Sequence, residues 1–439
     1  MSRNIGAIPK IPELNKRLLF TALMLIVYRL GVFIPTPGID PEALINIFDR
    51  TRGTIFDVLN LFSGGALERA SIFALGVMPY ITSSIIMSLL VKAFPTLEAM
   101  QKEGEAGRRK INQYSRYGTV LICVIQGTML ALTLEGGLGL GGSVVRDPGW
   151  MFRFTTVLTL TAGSLFVMWV GEQITERGIG NGISLIIAAS ILVQIPPALW
   201  DIVRLVETGE KTVFGILLLF TFLALVIGFI VFVERSYRKI PIQYPRRVVG
   251  RKVYGGQASH LPLKVNTAGV IPPIFASSLM IFPATVLTFV NIPALRNITD
   301  SFLQNGVIYN VMYAALIIFF AYFYTAVIYN PDDLADNLRK NGGFIPGIRP
   351  GKRTSEYIEK ILGRITFIGA IYVAAVCVLP SILQTAPFNV PFFFGGTSLL
   401  IVVGVTLDTV QQIESFLITH SYEGFVRKQG MKGPRRYGI

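Results

Sequence analysis

The chain has 439 residues, 52% of them hydrophobic and only 15% charged, with a mean hydropathy of +0.57. A water-facing domain carries roughly 25% charged residues, so this composition excludes an ordinary soluble enzyme, a disordered chain and a disulfide scaffold. The formal charge of +14, from 40 Lys+Arg against 26 Asp+Glu, would point to nucleic acid in a soluble protein; in an apolar chain it first asks on which side the charges lie.

The polar, basic start MSRNIGAIPKIPELNKR runs straight into an apolar segment with no small-residue cleavage site, so no removable signal peptide is expected. Runs of about 20 apolar residues, the length a helix needs to cross a bilayer, then recur along the chain. Ten spans are predicted, at about 18–35, 71–93, 115–134, 153–173, 183–203, 213–233, 267–290, 308–329, 363–384 and 397–418. This divides the chain into an N-terminal segment 1–17, a five-span half 18–203, a second half 213–418 and a tail 419–439, with long connections at 234–266 and 330–362.

Between spans one and two lies GTIFDVLNLFSGGALERA, residues 53–70. Its apolar part, about ten residues, is too short to cross a bilayer. A re-entrant helix and an interfacial amphipathic helix both fit it. Span two is irregular for a membrane helix, with Gly76, Pro79, Thr82, Ser83, Ser84 and Ser88; span seven is irregular in the same way, with Pro272, Pro273, Ser277, Ser278 and Pro283. Proline removes a backbone hydrogen bond, and the freed groups need partners that hydrocarbon cannot supply. Small hydroxyl residues also allow close helix contact. These are the second helices of the two five-span halves, a correspondence that points to an inverted repeat with the working pathway between its halves. The expected fold class is an all-α polytopic membrane protein of ten transmembrane helices in two pseudo-symmetric inverted five-helix halves. Asn181, Asn266 and Gln126 are the polar residues singled out inside the bundle, where buried amides bond between helices.

Segment by segment, 31 of the 40 Lys and Arg fall in the termini and the even-numbered connections. The positive-inside rule then makes both termini cytoplasmic. Fifteen of these, counting Arg364 just past the second, belong to the two long connections, each about 30 residues. Loops of that length are usually functional or disordered. The first mixes β-branched residues, Tyr and Gly-Gly as a hairpin does, and the second is predicted to hold a short helix after Pro331. Their charge suits topogenesis, or docking of something large and acidic, such as ribosomal RNA or a motor protein.

Catalytic and cofactor chemistry is not legible. GIRPGKRT at 347–354 has Pro346 where a phosphate-binding loop needs its first Gly, and Arg353 where it needs Ser or Thr. Asn297-Ile-Thr is a glycosylation sequon by pattern alone. His260 and His420 are far apart, and Cys123 and Cys377 lie inside apolar runs, so no metal site, disulfide or cofactor is expected. Of the acidic residues Glu172, Glu234, Glu414 and Asp408, only Asp408 lies deep in a span. That is thin equipment for ion coupling, which counts against the alternative of an inverted-repeat secondary transporter of a small solute. An intramembrane enzyme lacks its Ser/His or paired-Asp arrangement.

Six strings carry a resemblance that covers essentially the whole chain: LNLFSGGALERASIFALGVMPY, KEGEAGRRKINQY, GEQITERGIGNGIS, HLPLKVNTAGVIP, NPDDLADNLRKNGGFIPGIRPG and PFFFGGTSLLIVVGV. The sequence resembles the bacterial SecY family, channel subunits of the protein-translocating complex. The resemblance implies an hourglass pore narrowed by aliphatics at Val77, Ile81, Ile187, Ile274, Leu279 and Ile401. It implies a plug containing Ile55, Phe56, Val58, Leu59, Leu61, Phe62, Ser63, Gly64 and Gly65. A lateral gate would involve Thr82, Ser83, Ser84, Ser88 and Gln126 with Ser277 and Ser278. Arg251, Lys252 and Arg349 match positions that engage the motor or the ribosome. Implied partners are SecE- and SecG-type small membrane subunits, a SecA motor ATPase, the ribosome, signal peptides and nascent chains, and lipid. The implied location is the bacterial plasma membrane, and the implied activity is passage of unfolded polypeptides with energy supplied by a partner.

Overall fold

The computed structural model describes residues 11–40, 43–44, 60, 63–136, 144–209, 212–244, 247–249, 252–254, 258–289, 306–384 and 396–428. In chain order these form α1 (Pro12–Gly31), α2 (Met78–Ala93), α3 (Pro95–Lys102), α4 (Glu105–Glu135), α5 (Trp150–Arg177), α6 (Gly182–Val193), α7 (Ile195–Glu207) and α8 (Val213–Glu234). Strands β1 (Tyr237–Gln243), β2 (Arg247–Val249), β3 (Lys252–Tyr254) and β4 (Ala258–Lys264) follow. The chain continues through α9 (Ile271–Phe289), α10 (Gly306–Ile328), α11 (Pro331–Lys340), α12 (Lys352–Gln384) and α13 (Gly396–Lys428).

Helical structure overlaps each of the ten predicted spans. Among the described residues seven helices are long and apolar enough to cross a bilayer, taking Gly182–Arg204 as one. An eighth follows if Met78–Ala93 and Pro95–Lys102, bent by 101°, count as one broken span. The chain is a multi-pass membrane protein. The fifth span is interrupted at Gln194, just before Pro196 and Pro197. Spans two and seven become helical later than their apolar runs suggest, at Met78 and Ile271. The physical reason is a glycine two residues upstream of each, Gly76 at φ +56° and Gly269 at φ +64°, in the left-handed region that ends regular helix.

Two compact units divide the chain, Met1–Trp200 with Val405–Ile439, and Asp201–Gly404. In the first, α2 and α5 pack on α4, and α1 and α6 pack on α5. A core of Ile39, Leu44, Leu67, Ala70, Ala74, Ala131, Leu134, Val144, Val145, Phe152 and Leu160 fills one end. At the other, Leu14 and Ile179 are covered by Leu417 of α13.

In the second unit α10 packs against α12 and α9, and α11 against α12. The first long connection is an antiparallel hairpin, β1 on β4, in register from Tyr237↔Lys264 to Gln243↔Ala258, with β2 pairing β3 beyond it. The second contains the expected short helix α11, started by Pro331 and capped by Asn330, whose Oδ1 accepts from the Asp332 backbone N–H at 3.2 Å. Phe344 exchanges both backbone hydrogen bonds with Gln243, at 2.9 and 3.0 Å, so the two connections are joined. Ile240 and Leu263 of the hairpin, Ile345, and Ile358, Leu362 and Ile365 of α12 bury a common apolar core. These basic loops are a folded module.

Candidate functional site

In the first unit the implied pore positions are Val77, the residue that caps α2, Ile81 inside α2, and Ile187 in α6; all three side chains are buried. In the second, Ile274 of α9 and Ile401 of α13 are buried, while Leu279 of α9 is 44% exposed.

Of the implied plug, Ile55, Phe56, Val58, Leu59, Leu61 and Phe62 lie outside the described residues. Ser63, Gly64 and Gly65 are described, both glycines with positive φ. They are well fastened. The Tyr28 hydroxyl donates to the Ser63 carbonyl at 3.1 Å and lies 2.8 Å from Ser190 Oγ. Arg29 Nη1 donates to the Gly64 carbonyl at 2.8 Å, and Ser63 Oγ accepts from the Leu67 N–H at 3.3 Å.

Most of the hydroxyls implied for the gate bond to their own helices. Thr82 donates to Met78 O at 3.0 Å, Ser88 to Ser84 O at 2.8 Å, and Ser277 and Ser278 both to Ile274 O, at 2.9 and 2.8 Å. Each hydroxyl thereby hides its proton in the preceding turn, which a helix facing hydrocarbon requires. Ser83 differs: it donates to the Ser115 carbonyl of α4 at 2.6 Å, over Gly118, where a Cβ would fall 2.4 Å from Ser83 Oγ. Ser83 therefore fastens span two to span three. Ser84 and Gln126 are half-buried.

Of the implied docking residues, Arg251 lies outside the described residues and Lys252 opens β3. Arg349 is exposed, in a turn between Gly347 and Gly351, both at positive φ, and its carbonyl accepts from Thr354 Oγ1 at 3.0 Å. Among the watched amides, Asn181 caps α6, accepting from the N–H groups of Ile183 and Ser184. Asn266 is 4% exposed and donates to Glu234 Oε1 at 2.6 Å and to Gly269 O at 3.1 Å.

The sequence model of the SecY family matches residues 71–410. A chain named "Protein translocase subunit SecY" from Escherichia coli (strain K12) is 48% identical over 425 residues, 96% of each chain. One of the same name from Aquifex aeolicus is 46% identical over 98% of this chain and 100% of its own. This chain belongs to the SecY family. A solved structure described as "The structure of a protein conducting channel" superposes with a TM-score of 0.65 at 18% identity, covering 94% of this chain and 97% of that one. "Sec61 in the Canine ribosome-channel complex from the endoplasmic reticulum" gives 0.61 at 17% identity, with the same coverage. At those identities the likeness is one of fold.

The SecY-family chain also repeats a short string at the starts of spans two and seven. Residues Gly76-Val77-Met78-Pro79 recur as Gly269-Val270-Ile271-Pro272, and Ile81 falls on Ile274. In each unit the residue six before the helix start rests on a glycine of another helix. A Cβ on Gly163 of α5 would lie 2.0 Å from Ile72 O, and one on Gly369 of α12 would lie 2.7 Å from Val265 O. Self-comparison of the sequence at an offset of 193 residues is the signal that finds this pair.

Proposed function

We propose that this SecY-family chain is the protein-conducting channel of a bacterial plasma-membrane translocase. It passes unfolded secretory polypeptides across the bilayer and releases apolar segments sideways into lipid. The observation that carries this reading is the 48% identity to a protein translocase subunit over 96% of both chains.

In this reading Val77, Ile81, Ile187, Ile274, Leu279 and Ile401 act as the constriction. A ring of aliphatic side chains resists ions by dewetting and yields around a passing chain, since dispersion contacts have no fixed direction. The segment 55–66 closes the outer side, and spans two and seven border the lateral exit. Halves 18–203 and 213–418 carry the spans; 1–17, 419–439 and the loops 234–266 and 330–362 face the cytoplasm. Arg251, Lys252 and Arg349 then present cations to a SecA-type motor or to ribosomal RNA, and small SecE- and SecG-type subunits complete the complex. Energy comes from that partner. The folded character of the module around Ile240, Leu263, Ile345 and Ile358 supports a docking role, because topogenic charge alone needs no apolar core.

Vesicles holding the purified complex are expected to import an unfolded, signal-bearing chain only when motor and ATP are added. Uptake of a small solute driven by a proton or sodium gradient, without polypeptide import, would overturn the reading in favour of a secondary transporter. Arg349→Glu is expected to abolish motor-dependent import while leaving the folded complex intact; normal import would return Arg349 to an ordinary solvated loop.

A further inference from the structure

The connection from β4 to α9, residues 265–270, is held on every side. The Val265 N–H donates to Ser236 O at 3.0 Å, tying the two stalks of the hairpin. Asn266 bonds Glu234, the last residue of α8, and the Thr267 and Thr325 hydroxyls lie 3.1 Å apart. Ala268 packs with Ala321 and Ala370. Gly404 leaves room for Val270, whose Cγ1 would lie 2.4 Å from a Cβ there. Six residues so fixed contain no slack. The central bond is also short, at 2.6 Å, and Glu234 is 8% exposed, where the oxygens of a carboxyl group need partners.

We propose that Asn266 is a positioning residue that makes the cytoplasmic hairpin and the start of α9 one rigid body. Bound to Glu234, it closes the base of the hairpin, so that a force applied by a cytoplasmic partner is delivered to α9 and not absorbed in the connection. The proposal rests on the docking and gate roles assigned above. Coupling of this kind requires an element that both sites move, and the 265–270 joint is continuous with both.

The test uses the reconstituted complex with Cys123→Ala, Cys377→Ala and Met280→Cys, the new thiol carrying an environment-sensitive fluorophore. Addition of the motor with a non-hydrolysable ATP analogue is expected to shift its emission. Asn266→Asp sets two carboxylates face to face; it is expected to reduce the shift to about a third while motor affinity stays within about twofold. Adding Glu234→Gln to Asn266→Asp restores a donor–acceptor pair with the roles exchanged, and is expected to recover the shift. A full-sized shift in Asn266→Asp alone overturns the coupling. No shift in the parent, despite motor binding, overturns the docking-to-gate reading beneath it as well. Should Asn266→Asp fail to assemble, Thr267→Val removes the contact with Thr325 from the same joint; an undiminished shift there overturns the proposal.

Discussion

The lead-ins to α2 and α9 carry the same Gly-Val-x-Pro turn but are fastened by different chemistry. Ahead of α2 the work falls mostly to the main chain. Ile72 N–H donates to Ile34 O at 3.0 Å, Thr36 N–H to Ala70 O at 2.7 Å and Ser71 N–H to Ala66 O at 2.8 Å, with the Ser71 hydroxyl on Gly31 O at 2.9 Å. Ahead of α9 one main-chain bond, Val265 N–H to Ser236 O, is joined by side chains, Asn266 on Glu234 and Thr267 with Thr325. Main-chain bonds survive most substitutions and hold a fixed geometry, whereas a carboxylate–amide pair exists only while both residues do. One turn is an anchorage and the other a joint.

That contrast can be broken or sharpened by measuring unfolding of the complex in mixed micelles. The largest effect is expected at the glycine seats: Gly163→Ala costs about 3 kcal/mol and Gly369→Ala about 1 kcal/mol, because the first Cβ meets a carbonyl oxygen at 2.0 Å and the second at 2.7 Å. Equal costs would mean that the two seats are equally tight. Asn266→Ala, which removes one donor from a buried carboxyl group, is expected to cost about 2 kcal/mol, against about 1 kcal/mol for Ser71→Ala. The reverse ranking would refute the assignment of side-chain fastening to α9. A double-mutant cycle of Thr267→Val with Thr325→Val is expected to give a coupling of about 0.6 kcal/mol. The smallest change has the opposite sign. Ala70 sits at φ +46°, alone among the described non-glycine residues in the left-handed region, so Ala70→Gly is expected to stabilise by about 0.5 kcal/mol.

The spans were legible because crossing hydrocarbon demands length and apolarity, which composition displays directly. The hairpin at 237–264 and the helix after Pro331 were legible from turn residues and a proline start. The hydroxyls of spans two and seven were readable as a set but not in their bonding. The pattern that suggests contact between helices is the one that lets Thr82, Ser88 and Ser278 bond back to their own carbonyls, and nothing local marks Ser83 as the exception. Asn181 shows the same limit: an amide beside Gly180 and Gly182 reads equally as a bundle contact or a cap, and it caps α6. The late starts of α2 and α9 follow from Gly76 and Gly269, but the seats of Ile72 and Val265 on glycines 163 and 369, far along the chain, leave no mark within a window of 20 residues. The aliphatic positions proposed for the pore rest on family resemblance alone, since a buried Ile in a membrane helix looks like any other.

The last helix has a consequence for the order in which the protein can be made. Residues up to Gly404 belong with the second unit, and those from Val405 onward return to the first. There the Gly180 N–H donates to Gln412 Oε1 at 2.8 Å, Leu417 covers Leu14 and Ile179, and the Arg17 guanidinium lies 5.0 Å from the centre of the Phe416 ring. The N-terminal unit is thus closed by side chains synthesised more than 200 residues after Trp200, where its first stretch ends. Until then Leu14 and Ile179, with Ile11 and Leu18 beside them, lack the cover that Leu417 supplies. A stop codon after Gly404 would spare every residue of the second unit and still leave the first one open.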